Sequence, residues 1–89
     1  MTAAEERIAR LLAAHLRALE WCASFDDEGR AVVVSHPTLR REIARVSVED
    51  GRLELVDCER VYGAGIAAAI EHVRGRAGAV AHHGRGVAR

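Results

Sequence analysis

One short pattern, two acids followed by Gly-Arg, occurs twice in the chain, as Asp27-Glu28-Gly29-Arg30 and as Glu49-Asp50-Gly51-Arg52. An acid and a glycine in the middle of a tight turn suit a β-hairpin, because the favoured hairpin turns need φ above zero, which glycine and aspartate tolerate best. Strand-forming residues flank both copies at alternating positions: Ala23, Phe25, Val32 and Val34 around the first, Val46, Val48, Leu53 and Leu55 around the second. The chain therefore reads as two β-hairpins. Register follows from the same alternation, since a slip of one residue turns every side chain to the other face. With four-residue loops Phe25 faces Val32, Ala23 faces Val34, Val48 faces Leu53 and Val46 faces Leu55, so that all eight share one side. A three-residue loop in the second hairpin would pair Val48 with Arg52 and Val46 with Glu54, mixing core and solvent positions.

Helices bracket the hairpins. Thr2 and Glu5 form a capping box that starts a helix at about Ala3. At 100° per residue Ile8, Leu11, Leu12, His15, Leu16 and Leu19 fall on one arc, with Glu6, Arg10 and Arg17 opposite. The alternation of Trp21-Cys22-Ala23-Ser24-Phe25 ends this helix near Leu19. Pro37 lacks a ladder donor and closes the second strand, leaving His36 to Arg40 as the link between hairpins. Asp57 is expected to cap the second helix, with Glu59 in its first turn and Val61, Tyr62, Ile66, Ala69, Ile70 and Val73 along its apolar side; Gly75 is expected to end it. The predicted fold is α+β, of order αββββα, a four-stranded antiparallel sheet made of two β-hairpins with both helices on one face. Residues 1–74 form one domain in this reading, and residues 75–89 a flexible basic tail of Gly, Arg and His.

Eighty-nine residues bury only a modest core, so self-association is a natural expectation. Every one of the 13 basic residues is arginine, and the chain has no Lys, Asn or Gln, a bias expected of a GC-rich bacterial or phage genome. Nine arginines stand against 13 acids in residues 1–71, a balance of −4, while residues 72–89 hold four arginines and no acid. An acidic body argues against a folded surface devoted to phosphates. No apolar run approaches the ~18 residues needed to cross a bilayer, and the acidic N-terminus does not resemble a signal peptide. A cytoplasmic, non-membrane protein is expected, with Cys22 and Cys58 reduced.

The candidate chemistry is sparse. Gly63-x-Gly65-x-x-Ala68 matches the glycine spacing of a dinucleotide fingerprint, but that motif needs a hydrophobic strand directly before it and an acid about 20 residues later on a parallel strand. Small residues for close helix packing explain it better. His15 on an apolar arc needs a hydrogen-bond partner, and in the chosen register His36 opposes Trp21, so that His15, His36 and a cysteine have a route to convergence. No close pair of ligands marks a zinc site, and His82-His83 sits in the tail. Cys58 at a helix start would have its pKa lowered by the helix dipole, the one route to a nucleophile. The serines and threonines show no nucleophile elbow. No catalytic residue, metal or cofactor is assigned, and the chain is expected not to be an enzyme.

The second face of the sheet is the richer signal. It carries Val33, Ile43 and Val56 beside Arg41 and Arg45, more apolar than a wet face requires, which suggests that it is covered by a second copy or by another protein. The expected function is a small non-enzymatic protein-interaction module, an adaptor, inhibitor or regulator acting through Val33, Arg41, Ile43, Arg45 and Val56 as a homodimer. The alternative is a nucleic-acid-associated protein that uses Arg74, Arg76, Arg85 and Arg89. The element order is similar to that of double-stranded-RNA-binding domains and, more loosely, of YbaB-type nucleoid proteins. The lysines with which the former read phosphates are missing, Glu59-Arg60-Val61-Tyr62-Gly63 standing in their place.

Overall fold

The computed structural model describes residues 2–26 and 30–87, with side chains as far as residue 76. In chain order α1 spans Ala3–Ala18, β1 Cys22–Phe25, β2 Ala31–Ser35, β3 Glu42–Glu49, β4 Arg52–Cys58 and α2 Gly63–Val87. The strands form one antiparallel sheet in the order β1-β2-β3-β4, giving the α+β fold αββββα.

Both ends of α1 are fixed by local chemistry. The Thr2 hydroxyl accepts from the Glu5 amide at 3.1 Å while the Thr2 amide donates to the Glu5 carboxylate at 2.9 Å, a complete capping box. At the other end the Trp21 amide donates to Leu16 O and the Glu20 amide to Arg17 O, with Glu20 at φ 70°. This is a Schellman motif in which glutamate occupies the left-handed position usually held by glycine. It turns the chain out of the helix and straight into β1.

The hairpin register is the expected one. Ala23 pairs with Val34, Phe25 with Val32, Val46 with Leu55 and Val48 with Leu53. The second turn closes one pair tighter than a four-residue loop: Glu49 pairs with Arg52, and Asp50 (φ 53°) and Gly51 (φ 73°) alone make the bend, a mirror-type turn matched to strand twist. Most of the first turn, Asp27 to Gly29, lies outside the described residues.

The core forms between the helices and the predicted sheet side. Leu12, Leu16, Val32, Val34, Val46, Ile66 and Val73 are its largest fully buried side chains, with Ala9 and Ala13 letting α1 lie close. Two register shifts alter the pattern. Val34 pairs with Ala44 but Ser35 with Glu42, leaving Ile43 as an extra residue in β3; Arg45 pairs with Asp57 but Val46 with Leu55, leaving Val56 extra in β4.

The second helix departs most from expectation. Asp57 does not cap it, because β4 runs on through Asp57 to Cys58 and the Glu59 amide still donates to Ile43 O at 2.7 Å. A short turn follows, and the helix begins at Gly63. Gly75 does not end it, since the helical backbone continues to Val87. The apolar side holds at Ile66, Ala69, Ile70 and Val73, but Val61, in the turn, is 83% exposed.

Candidate interaction surfaces

Both helices cover one side of the sheet, and among the described residues no element covers the other. Its strands present Cys22, Ser24, Val33, Ser35, Arg45, Ser47 and Glu54. Arg45 dominates the centre. Its guanidinium makes two hydrogen bonds to Glu42, at 2.9 and 3.1 Å, and approaches Asp26 at 3.6 Å. Asp26 follows β1 and Arg45 is rooted in β3, so the side chain crosses β2, where Val33 is its register partner. The bonds from Arg45 hold the Glu42 carboxyl below the usual carboxylate range, and Glu42 in turn raises the guanidinium.

Of the residues expected on this face, Ile43 is a correction. The extra residue in β3 lets both Ile43 and Ala44 point inward, and Ile43 is 3% exposed within the core. Val33 is half-buried, whereas Val56, at the second bulge, is 61% exposed. Arg41 lies just before β3 and is exposed, its guanidinium 2.6 Å from the Glu59 carboxylate. The face is consequently more polar and less apolar than strict alternation implied.

Each edge of the sheet has one acceptor taken by a helix arginine. Arg17 of α1 donates to the carbonyl of Ala23 in the edge strand β1 at 2.9 Å, and Arg74 of α2 donates to the carbonyl of Leu53 in the opposite edge strand, β4. Each helix thus lends one guanidinium to the edge it covers, occupying an acceptor that an added strand would need. Arg74 also bonds Glu71 at 2.8 Å, so it is engaged within the fold. Arg76 is exposed, and the side chains of His82, His83, Arg85 and Arg89 lie outside those described.

His15 and His36 do not converge. His15 stacks on His72 of α2, rings 4.4 Å apart and 12° from parallel. His36 packs instead against Tyr62 at 4.7 Å and, as the register implied, against Trp21 at 6.0 Å. Trp21 and Tyr62 meet edge-on at 5.9 Å, which completes a three-ring cluster at the end of the sheet. His36 Nδ1 accepts the amides of Thr38 (3.1 Å) and Leu39 (2.9 Å), which ties the ring to its own loop. Tyr62, expected on the apolar side of the second helix, lies instead in the turn before Gly63, and the later start of α2 is what brings its ring to Trp21 and His36.

Cys58 is not an activated thiol. Burial, together with the neighbouring Asp57 and Glu59 carboxylates, pushes its pKa up, the reverse of the expected helix-dipole effect, and its Sγ donates to Glu59 O at 3.3 Å. A Cβ on Gly63 would lie 2.7 Å from Cys58 Sγ, so the first glycine of the apparent fingerprint serves helix packing. The sheet before it is antiparallel, which removes the crossover that the dinucleotide motif requires. Among the described residues no group of three or more His, Cys, Asp or Glu is arranged to hold a metal ion, and no helix is long and apolar enough to cross a membrane. Comparison of the chain with protein-family models, with curated proteins and with solved structures finds no match.

Proposed function

We propose that this chain is a small non-enzymatic protein-interaction module, an adaptor, inhibitor or regulator, that works as a homodimer and meets its target through the open side of its sheet. One arrangement supports the reading: both helices lie on one side and an arginine occupies an acceptor on each edge, so the side of the sheet left open to a partner is the face crossed by Arg45. At the centre of that face stands a braced arginine, a residue type enriched at protein interfaces. The bias towards arginine fits a GC-rich bacterial or phage cytoplasm as its setting.

Capture from extracts of the native cells tests this, comparing wild type with the open-face variants Val33→Glu and Ser47→Arg. A protein retained by wild type and lost from both folded variants supports the proposal. An identical set retained by all three removes the open face as the working surface.

A further inference from the structure

The open face can be read charge by charge, because residues directly opposite each other in an antiparallel pair share one side of the sheet. Asp57 stands opposite Arg45, Glu54 opposite Ser47 and Glu49 opposite Arg52. The Glu42 and Asp26 carboxylates reach the Arg45 guanidinium on that same side, at 2.9 and 3.6 Å. These positions hold five carboxylates against two guanidinium groups. Arg41, just before β3, is matched by Glu59 at 2.6 Å and adds no net charge.

Neither cation is surplus. Arg45 is shared among three carboxylates, Glu42 most strongly through its hydrogen bonds and then Asp26 and Asp57 through charge alone, and all three raise the guanidinium. Arg52 has Glu49 as its register partner, whereas exposed Glu54 faces only uncharged Ser47. Beside Ser47 a recess of about 110 Å³ opens between Glu49, Asp50, Arg52 and Glu54, so that three of its four charged walls are acidic. The acids are spread rather than convergent. Glu42 and Glu49 lie about 20 Å apart along β3 at ~3.3 Å per residue, and among the described residues no three such groups come together to hold a metal ion.

The occupant that matches this pattern is a row of cations and not a single ion. Nucleic acid, with its own negative backbone, is repelled, and so is the same face of a second copy. We infer that the open face takes a basic segment of another protein, a stretch bearing several Arg or Lys side chains, one of them seated beside Ser47 between Glu49 and Glu54. The inference rests on the open face as the working surface in the proposed function and adds the chemistry of what that face meets. Arg45, already neutralised from three sides, then acts as a fixed strut that holds the acids apart instead of competing for them.

Fluorescence anisotropy with three labelled peptides tests it: an alternating Arg-Ala decapeptide, its Glu-Ala counterpart, and a peptide of residues 74–89 of this chain. Each is titrated with wild type, with Glu54→Gln/Asp57→Asn on the open face, and with Glu6→Gln/Glu20→Gln, which removes the same charge from α1 and its end; circular dichroism verifies that all three fold. The inference expects the Arg-Ala peptide to bind wild type, to lose about fivefold to tenfold in affinity on the face variant, as two exposed charge pairs are worth, and to lose less than about twofold on the α1 variant. No binding up to about 1 mM protein, equal losses in the two variants, or equal binding of the Glu-Ala peptide overturns it. Tighter binding of the 74–89 peptide than of the Arg-Ala peptide gives the face to a second copy and also overturns it. A target captured through the open face while the Arg-Ala peptide fails removes the basic preference and leaves the interaction module standing; loss of the open face in the capture experiment removes both.

Discussion

Replacing Ile43 by alanine separates the bulged strand from a regular one. In a regular β3 the alternation of Arg41, Ile43 and Arg45 would put Ile43 on the open face, where truncation changes stability by no more than about 0.5 kcal/mol. In the bulged strand Ile43 is 3% exposed and packed into the core. Truncation removes three buried carbons, worth about 2.4 kcal/mol at ~0.8 each. A residual cavity adds to that, and measured Ile→Ala losses run from about 2 to 5 kcal/mol. Ile43 lies near the start of its strand, where neighbours can partly close the gap, so a loss of about 3 kcal/mol is expected. Urea unfolding followed by circular dichroism measures it, the m-value staying constant so that the midpoint shift reports stability. In a chain of this size such a loss lowers Tm by at least 10 °C, at about 4–8 °C per kcal/mol. Val56→Ala, the extra residue of the other bulge, serves as the control and is expected to stay within about 0.5 kcal/mol. Equal, small effects for Ile43→Ala and Val56→Ala would refute the inward turn of Ile43.

Glu20→Gly relieves a left-handed glutamate at the end of α1 and is expected to stabilise the fold by about 0.5–1 kcal/mol in the same assay; a loss of stability would contradict the Schellman geometry. Gly51→Ala puts a Cβ at φ 73° with no atom within 4 Å, so the cost is backbone strain alone, about 1 kcal/mol. The hydrogen bonds from Thr2, backbone first, and then the Asp50 amide hold the Glu5 carboxyl below its unfolded value of 4.5. Its contribution is therefore fully present above pH 4.5 and is lost as pH falls through the lower folded value. Glu5→Gln should lower stability at pH 7 and flatten that part of the acid limb, as urea titrations across pH would show. Alkylation with iodoacetamide is expected to reach exposed Cys22 before Cys58, whose thiol is partly buried and raised in pKa; faster labelling of Cys58 would contradict that environment.

The fold was legible where alternation and turn chemistry agree. Asp50-Gly51 states its own conformation, and Val46, Val48, Leu53 and Leu55 permit one register with a clean apolar side, so both hairpins and most of the core follow. The bulges at Ile43 and Val56 were not legible, because a single extra residue moves a side chain across the sheet without altering local composition. That displacement took Ile43 out of the expected surface. The start of α2 was misplaced for a related reason: Asp57 and Glu59 look like a helix cap, but ladder pairing to Arg45 and Ile43 keeps that stretch extended, tertiary pairing overriding a local signal. The ring cluster was half visible, Trp21 and His36 following from the register and Tyr62 only from the turn that brings α2 back.

The arginines at the sheet edges also bear on the order in which the chain emerges from the ribosome. Arg17 precedes the strand it closes, so β1 can be capped as soon as it forms on a nascent α1. Arg74 follows Leu53 of β4 by 21 positions, and that acceptor stays open until α2 has been made and has docked. The interval of greatest exposure to mispairing thus falls late in synthesis, at β4. A chaperone that shields this protein during translation would be needed there, and a stalled chain ending before Arg74 would be the form most prone to recruit strands from its neighbours.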